Sequence, residues 1–370
     1  MRNPFIYSRS FGTLDGQYMT SQEIFDAAGN TGNMLFLSSV RRLVKHDQAK
    51  LGGKLSDEAL EGADGIVIPA ANWLQDSRDL GGLAKRLEKI DLPICIMGLG
   101  AQAIEERKIK LPEGSQRFLK VISERCSSLS VRGDFTAEVV ASHGVKNVTV
   151  TGCPSFLWHV DRPAEVARII SRRAPLRVAV LITPAGDYIQ KQPNLRTHLT
   201  RKLLQFAFDH GASSIGQTEL PLMQVARSEV GADNPEIAAI LEFLFERPAD
   251  EAAKYLRKNF HLFANVPEWM TFSANHDLVL GTRLHGVVAG LLSGTPSVLV
   301  THDTRTVEMG RQAGIPTIPA EEIIRGEKID PDQIVKQSDF TAFNSRQRTY
   351  FKEFKDFLKN NDVPNRLADI

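Results

Sequence analysis

The stretch Leu278-Val-Leu-Gly-Thr-Arg-Leu-His-Gly-Val-Val-Ala-Gly-Leu-Leu-Ser-Gly-Thr-Pro-Ser-Val-Leu-Val300 is an apolar strand-like run, a polar turn, an apolar helix-like run and a second strand-like run. Strand, helix and strand in that order read as one unit of a parallel sheet, because a crossover helix returns the chain to a parallel neighbour. Arg283 and His285 fall in the turn after the first strand, with Gly281 and Gly286 on either side allowing tight turning and close ligand approach. A guanidinium grips a carboxylate or phosphate through two parallel hydrogen bonds, and an imidazole exchanges a proton near neutral pH. The helix N-terminus near His285 adds partial positive charge. This turn therefore reads as a reaction centre for an anionic substrate.

Outward from this unit the alternation continues. Val178–Thr183, Ser213–Gly216, Asp277–Leu280, Pro296–Thr301 and Thr317–Pro319 are predicted strands, alternating with helices around 197–210, 235–259, 266–275 and 285–293. In the first half Gly65–Pro69, Leu92–Met97, Ser128–Arg132 and Val145–Thr151 are predicted strands, with helical spacing over Ser115–Cys126 and Asp134–His143. The 370 residues exceed the usual size of one core, and the texture from Trp158 to Ala174-Pro-Leu-Arg reads as a connection. The expectation is an α/β chain of two Rossmann-like domains facing a cleft, residues 1–158 and 174–330, followed by a helical tail over 331–370. Phe340, Phe343, Tyr350, Phe351, Phe354 and Phe357 recur in that tail near helical spacing, which predicts a closing amphipathic helix.

Composition narrows the function classes. With 45 Lys plus Arg against 44 Asp plus Glu and no long like-charge block, bulk nucleic-acid binding is disfavoured. Cys95, Cys126 and Cys153 form no CxxC pair, so neither a disulfide framework nor a zinc site is expected, and a reducing cytosol fits. The start lacks a signal-peptide core, and no run of about 18 apolar residues occurs. A cytoplasmic protein is expected, with peripheral contact at the inner face of the membrane left open. Oligomeric state is not legible here.

Smaller motifs allow two readings each. Gly98-Leu-Gly100 lacks the third glycine of a dinucleotide loop and reads as a turn at a strand end or as cleft lining. Gly29-Asn-Thr-Gly-Asn33 is a turn before a helix or an anion- or sugar-contacting loop. Asp134 could cap the helix that follows it. His276-Asp277 and His302-Asp303 read as cleft-edge or capping residues, since neighbours on a strand point to opposite faces.

Residues 281–298 resemble the signature of the polysaccharide pyruvyl transferase family, with Arg283-Leu284-His285 as the most recognisable part. The resemblance runs from Gly29 to about Pro316 and includes Val131-Arg132-Gly133-Asp134. It implies a GT-B-like architecture and transfer of the pyruvyl group of phosphoenolpyruvate to a sugar of a surface polysaccharide or its precursor, free or lipid-linked, as a ketal. His285 would be the general acid, Arg283 and Leu284 would bind the donor, and Arg132 would reach the same anion from the other domain. Arg305 falls where the family often has a lysine. Asn30, Gly32 and Gly100 would complete the substrate contacts, with no cofactor beyond the donor and no metal. Cys153, in Thr151-Gly-Cys-Pro-Ser155, stands where relatives often carry the acid of an Asp-Pro pair; a buried small residue is expected there. Two alternatives stay open at this point: a GT-B glycosyltransferase using a nucleotide sugar, with Glu219, Glu268 and Asp303 available to a ribose, and a non-catalytic sugar- or anion-binding relative.

Overall fold

The computed structural model describes residues 1–8, 18–103, 109–167, 175–183, 194–326 and 328–370. The expected start of the second domain at residue 174, and residues 168–173 of the connection before it, lie outside the described residues. Fourteen strands are described: β1 (Pro4–Tyr7), β2 (Lys50–Gly52), β3 (Gly65–Pro69), β4 (Asn72–Leu74), β5 (Ile94–Met97), β6 (Gly100–Ala101), β7 (Leu129–Val131), β8 (Val148–Val150), β9 (Val178–Leu181), β10 (Ser213–Gly216), β11 (Phe260–Leu262), β12 (Leu278–Gly281), β13 (Ser297–Thr301) and β14 (Thr317–Pro319).

The second half is a six-stranded parallel sheet in the order β11-β10-β9-β12-β13-β14. Counted within that half, this is third-second-first-fourth-fifth-sixth, the Rossmann order, whose switch point lies between β9 and β12. The first half places β2-β1-β3-β5 in one parallel sheet. A parallel bridge from Leu99 to Val131 carries this sheet on to the pair β7-β8. Residues of β3, β5, β9 and β12 are all buried, as the continuous apolar runs of strands covered on both faces require. The chain is thus α/β with two Rossmann-like halves of GT-B-like layout and a helical C-terminal segment.

Three apolar clusters hold this arrangement. Two belong to one half each, among them Ile66, Ile96 and Phe118 in the first and Val180, Leu241 and Leu280 in the second. The third runs through both halves, joining Phe36 and Val40 to Leu284, Val287 and Leu291 and to the tail residues Phe343, Tyr350 and Phe354. Below the cleft the halves therefore share a core.

Local chemistry corrects several expectations. The single helix around 235–259 is two helices, Pro235–Phe245 and Ala249–Asn259, because Glu246 takes a left-handed φ of 53° and Pro248 disfavours helix at the residue before it. The tail is likewise two helices, Pro331–Gln337 and Thr341–Asn360. The second buries Phe343, Tyr350, Phe351, Phe354 and Phe357, and the Tyr350 hydroxyl donates to the Cys153 carbonyl at 2.6 Å. The central strand β1 carries no sequence signal beyond the four residues Pro4-Phe-Ile-Tyr7, and β11 follows a helix with no glycine or proline to mark the change. Among the described residues no helix is long and apolar enough to cross a membrane.

Candidate active site

Strand β12 ends at Gly281, whose φ is 156°; a Cβ there would lie 2.1 Å from the Leu181 carbonyl oxygen. Only glycine lets the chain leave β12 this close to β9. The Thr183 hydroxyl donates to the Thr282 hydroxyl at 2.6 Å, and Arg283 Nε donates to the Ile182 carbonyl at 2.9 Å. Arg283 thus stands at the switch point, where open α/β sheets receive ligands. It is the N-cap of the helix Leu284–Leu292 and makes no side-chain cap bond; the Gly286 and Val287 amides donate to its carbonyl, which leaves the Leu284 and His285 amides for an anion.

His285 lies in the first turn of this helix and is 8% exposed. Its ring stacks on Phe36, from the helix Asn33–Leu43 of the first half, at 5.5 Å between centroids, and its Nε2 lies 3.8 Å from Cys153 Sγ. Burial pushes the imidazole well below its ordinary pKa, and the guanidinium charges of Arg132, Arg305 and Arg283 push it further the same way. Three cations therefore converge on one neutral imidazole. In the free protein His285 holds no proton to give until negative charge arrives beside it.

The three arginines are held differently. Arg132 is 1% exposed and, among the described residues, donates to neutral acceptors, from Nε to the Gly98 carbonyl at 2.9 Å and from Nη1 to Asn72 Oδ1 at 2.8 Å. Its guanidinium also lies 5.9 Å from the Phe36 ring centroid, so Phe36 touches both Arg132 and His285. Arg283 instead donates from Nη2 to Glu219 Oε1 at 2.7 Å and to the Thr218 hydroxyl. Glu219 is fully buried and also accepts the Gln217 and Thr218 amides. Arg305, with a side chain 17% exposed, lies 3.5 Å from Asp303 Oδ2, while its Nε is buried with no partner among the described residues.

Asp303 caps the helix Thr304–Ala313 through a reciprocal box with Thr306. Burial pushes its carboxyl up, but Arg305, His302 and the Thr306 amide and hydroxyl outweigh that and hold it down to about 2. His302 and Asp303 do not point apart as neighbours on a strand would. The strand ends at Thr301, and His302 Nε2 comes within 3.8 Å of Asp303 Oδ2, with burial pushing His302 down to about 4. His276 lies at the end of the helix Val266–Ala274, bonded to the Phe272 carbonyl and the Ser213 hydroxyl.

The remaining sequence candidates take supporting places. Gly100 backs onto Arg132, since a Cβ there would lie 2.9 Å from Arg132 Cδ; its missing side chain makes room for the arginine. The Leu284 side chain is 1% exposed in the shared core, which leaves only its backbone amide for a substrate. Asn30 Oδ1 accepts the Gly32 amide at 2.9 Å and so closes the turn before the Asn33 helix. Asp134 does not cap the next helix; Gly133 is its N-cap, and Glu308 from the other half accepts the Thr136 amide at 2.8 Å. Cys153 is buried as expected, but it faces His285, a contact no local pattern announced.

Comparison with known proteins decides the family. A family model described as polysaccharide pyruvyl transferase matches residues 17–304, well over half of the chain. The chain belongs to the polysaccharide pyruvyl transferase family. For this pyruvyl transferase family member no curated protein gives a match. Among solved structures it is similar to UDP-N-acetylglucosamine 2-epimerase from Rickettsia bellii, at 13% identity and TM-score 0.47 over 96% of this chain and 94% of that one. It is also similar to the S. aureus MnaA–UDP co-structure, at 9% identity and TM-score 0.46 over 100% and 93%. The glycosyltransferase SnogD from Streptomyces nogalater gives 13% identity and TM-score 0.37 over 96% and 95%. The architecture of this transferase rests on its own strand order, not on these likenesses.

Sequence reasoning missed Phe36 and Gln217 as site residues. Gln217 did have a signal, since Gln217-Thr218-Glu219 is a polar triplet at the carboxyl end of β10, where an open sheet meets its ligand. Phe36 had none, being one apolar residue among several on its helix.

Proposed function

We propose that the protein transfers the pyruvyl group of phosphoenolpyruvate to two hydroxyls of a sugar in a surface polysaccharide or its precursor, free or lipid-linked, releasing phosphate and leaving a cyclic pyruvate ketal. One observation carries this reading: Arg132 from one half, Arg305 from the other and the uncapped first turn of the Leu284 helix meet around His285. Phosphoenolpyruvate brings a carboxylate and a phosphate, and each finds a fixed cation or helix amide there. The chemistry is assigned to side chains, with guanidinium groups neutralising charge where a metal could otherwise serve.

Donor binding raises the proton affinity of His285, because the donor's negative charge offsets the three guanidinium groups. The imidazolium gives its proton to the methylene carbon, and the central carbon gains positive character. One sugar hydroxyl attacks that carbon and loses its proton. The bond to the phosphate oxygen breaks, phosphate leaves, and the second hydroxyl closes the ring with loss of its own proton. Positioning of this kind lowers the barrier before any chemistry begins.

A nucleotide-sugar glycosyltransferase would want acidic side chains open to a ribose. Glu219 is engaged by Arg283 and two amides, and Asp303 by its own cap and Arg305. Glu268 is exposed in the first turn of the Val266 helix. These engagements favour the pyruvyl reading. Calorimetry with phosphoenolpyruvate against a panel of nucleotide sugars tests it, followed by phosphate release with candidate acceptors. Binding of a nucleotide sugar with no response to phosphoenolpyruvate overturns it. His285→Ala is expected to lower turnover about 10²- to 10⁴-fold while phosphoenolpyruvate still binds; unchanged turnover removes His285 from the mechanism.

A further inference from the structure

Gln217 is 2% exposed and sits where the two halves meet. Its backbone carbonyl accepts the Thr31 amide of the first half at 3.1 Å, and its own amide donates to Glu219 Oε2 at 2.7 Å. Its side-chain Nε2 is buried with no partner among the described residues. The same amide is flanked by the glycines of two separate motifs. A Cβ on Gly32 would lie 2.2 Å from Oε1, and a Cβ on Gly286, the residue after His285, would lie 3.1 Å from Nε2. Gly32 has an ordinary helical backbone, φ −58° and ψ −24°, so the chain does not need glycine there for its conformation. What it needs is room for the Gln217 amide.

A buried donor without an acceptor is costly in a folded protein, and sites that keep one tend to have a ligand for it. A second such donor, Arg305 Nε, lies in the same cation cluster around His285. We propose that Gln217 is a substrate-binding residue whose Nε2–H donates to an anionic oxygen of the donor held at the N-terminus of the Leu284 helix. Because its carbonyl also holds Thr31, the amide is placed only when the turn before the Asn33 helix is docked on the second half. This rests on the phosphoenolpyruvate reading for the identity of the anion, but not for the placement of the amide.

The test is calorimetry of the full chain with phosphoenolpyruvate, inorganic phosphate and pyruvate, before and after Gln217→Met, which keeps length and removes the donor. Loss of a hydrogen bond to a charged group predicts about 10- to 100-fold weaker phosphoenolpyruvate binding, with KM raised and kcat held within a few-fold. Whichever of phosphate and pyruvate weakens with it names the group that Gln217 holds. Gly32→Ala, which pushes on the amide from the other side, is expected to give a similar loss in the native background and none in a Gln217→Ala background. This cycle also decides the matter if Gln217→Met folds poorly.

Unchanged affinity for all three probes in a folded Gln217→Met protein overturns the proposal and assigns the residue to packing, as does additivity of Gly32→Ala with Gln217→Ala. If the native protein ignores phosphoenolpyruvate yet binds phosphate or pyruvate in a Gln217-dependent way, the functional reading fails and this one stands. If it binds none of the three, both fail.

Discussion

Arg132 and Arg283 each follow a buried strand, one in each half, and in sequence they read as the same device. Arg132 is held by the Gly98 carbonyl and the Asn72 amide oxygen, all neutral. Arg283 is held by the buried carboxylate of Glu219. Neutral acceptors orient a guanidinium and leave its charge to act on a ligand, whereas a buried carboxylate cancels much of that charge locally. Of this pair, Arg132 is the cation better placed to act on a ligand, whereas Arg283 is locked into the frame around His285.

The largest expected effect separates these roles through stability. Arg283→Met strands Glu219 without its cation, and breaking a buried pair costs about 3–5 kcal/mol. Denaturant unfolding should show that loss, and adding Glu219→Gln should recover much of it. If Arg283→Met unfolds normally and loses donor binding instead, the two arginines are equivalent and the contrast fails.

Arg132→Met should do the reverse. Donor affinity by calorimetry is expected to fall about 10- to 100-fold, with a smaller loss of stability than Arg283→Met causes. A melting transition displaced as far as that of Arg283→Met would mean Arg132 is structural too.

A third effect runs through pH. His285 is neutral when folded because its pKa lies well below the ordinary 6.5, so its burial contributes stability in full above about pH 6.5 and that contribution is lost as pH falls through the folded value. Cys153→Asp places a carboxylate beside the imidazole at the position of the 3.8 Å thiol contact. An opposite charge that close lifts a pKa by about 1–3 units, which moves the alkaline limb of kcat/KM upward and softens the acid loss of stability. A pH profile that does not move shows that the residue at 153 does not act on His285.

The smallest effect tests the joint between the halves. Glu308→Gln keeps an acceptor for the Thr136 amide but removes the negative charge at that helix N-terminus, for an expected loss of about 0.5–1 kcal/mol in thermal unfolding. No change would mean the Glu308 charge does not help hold the halves together.

Much of the fold was legible in the sequence because its signals are local. The apolar runs of β3, β5, β12 and β13 each lie between glycine, proline or charged punctuation, and the helices between them repeat at helical spacing. β1 and β11 escaped because each is short and no local signal sets it apart, β11 following a helix with no glycine or proline between. The break at Glu246 has a sequence signal in Pro248, two residues on. In the site, Arg283 and His285 stood out through their place after a strand, and Arg132 and Arg305 through resemblance. Gln217, Phe36 and the Cys153 contact did not.

The sequence by itself determined two parallel-sheet halves, the turn that carries Arg283 and His285, and the family to which the chain belongs. Only the tertiary structure decided which guanidinium is paired with a buried carboxylate, which thiol faces the imidazole and which side chain fills the space beside Gly32. The physical reason is separation along the chain. Strand and helix patterns are set by residues a few positions apart, whereas Arg283 meets Glu219 across 64 residues and His285 meets Cys153 across 132. Burial and electrostatics act through space, so the chemistry of each site residue waited on neighbours that only folding supplies.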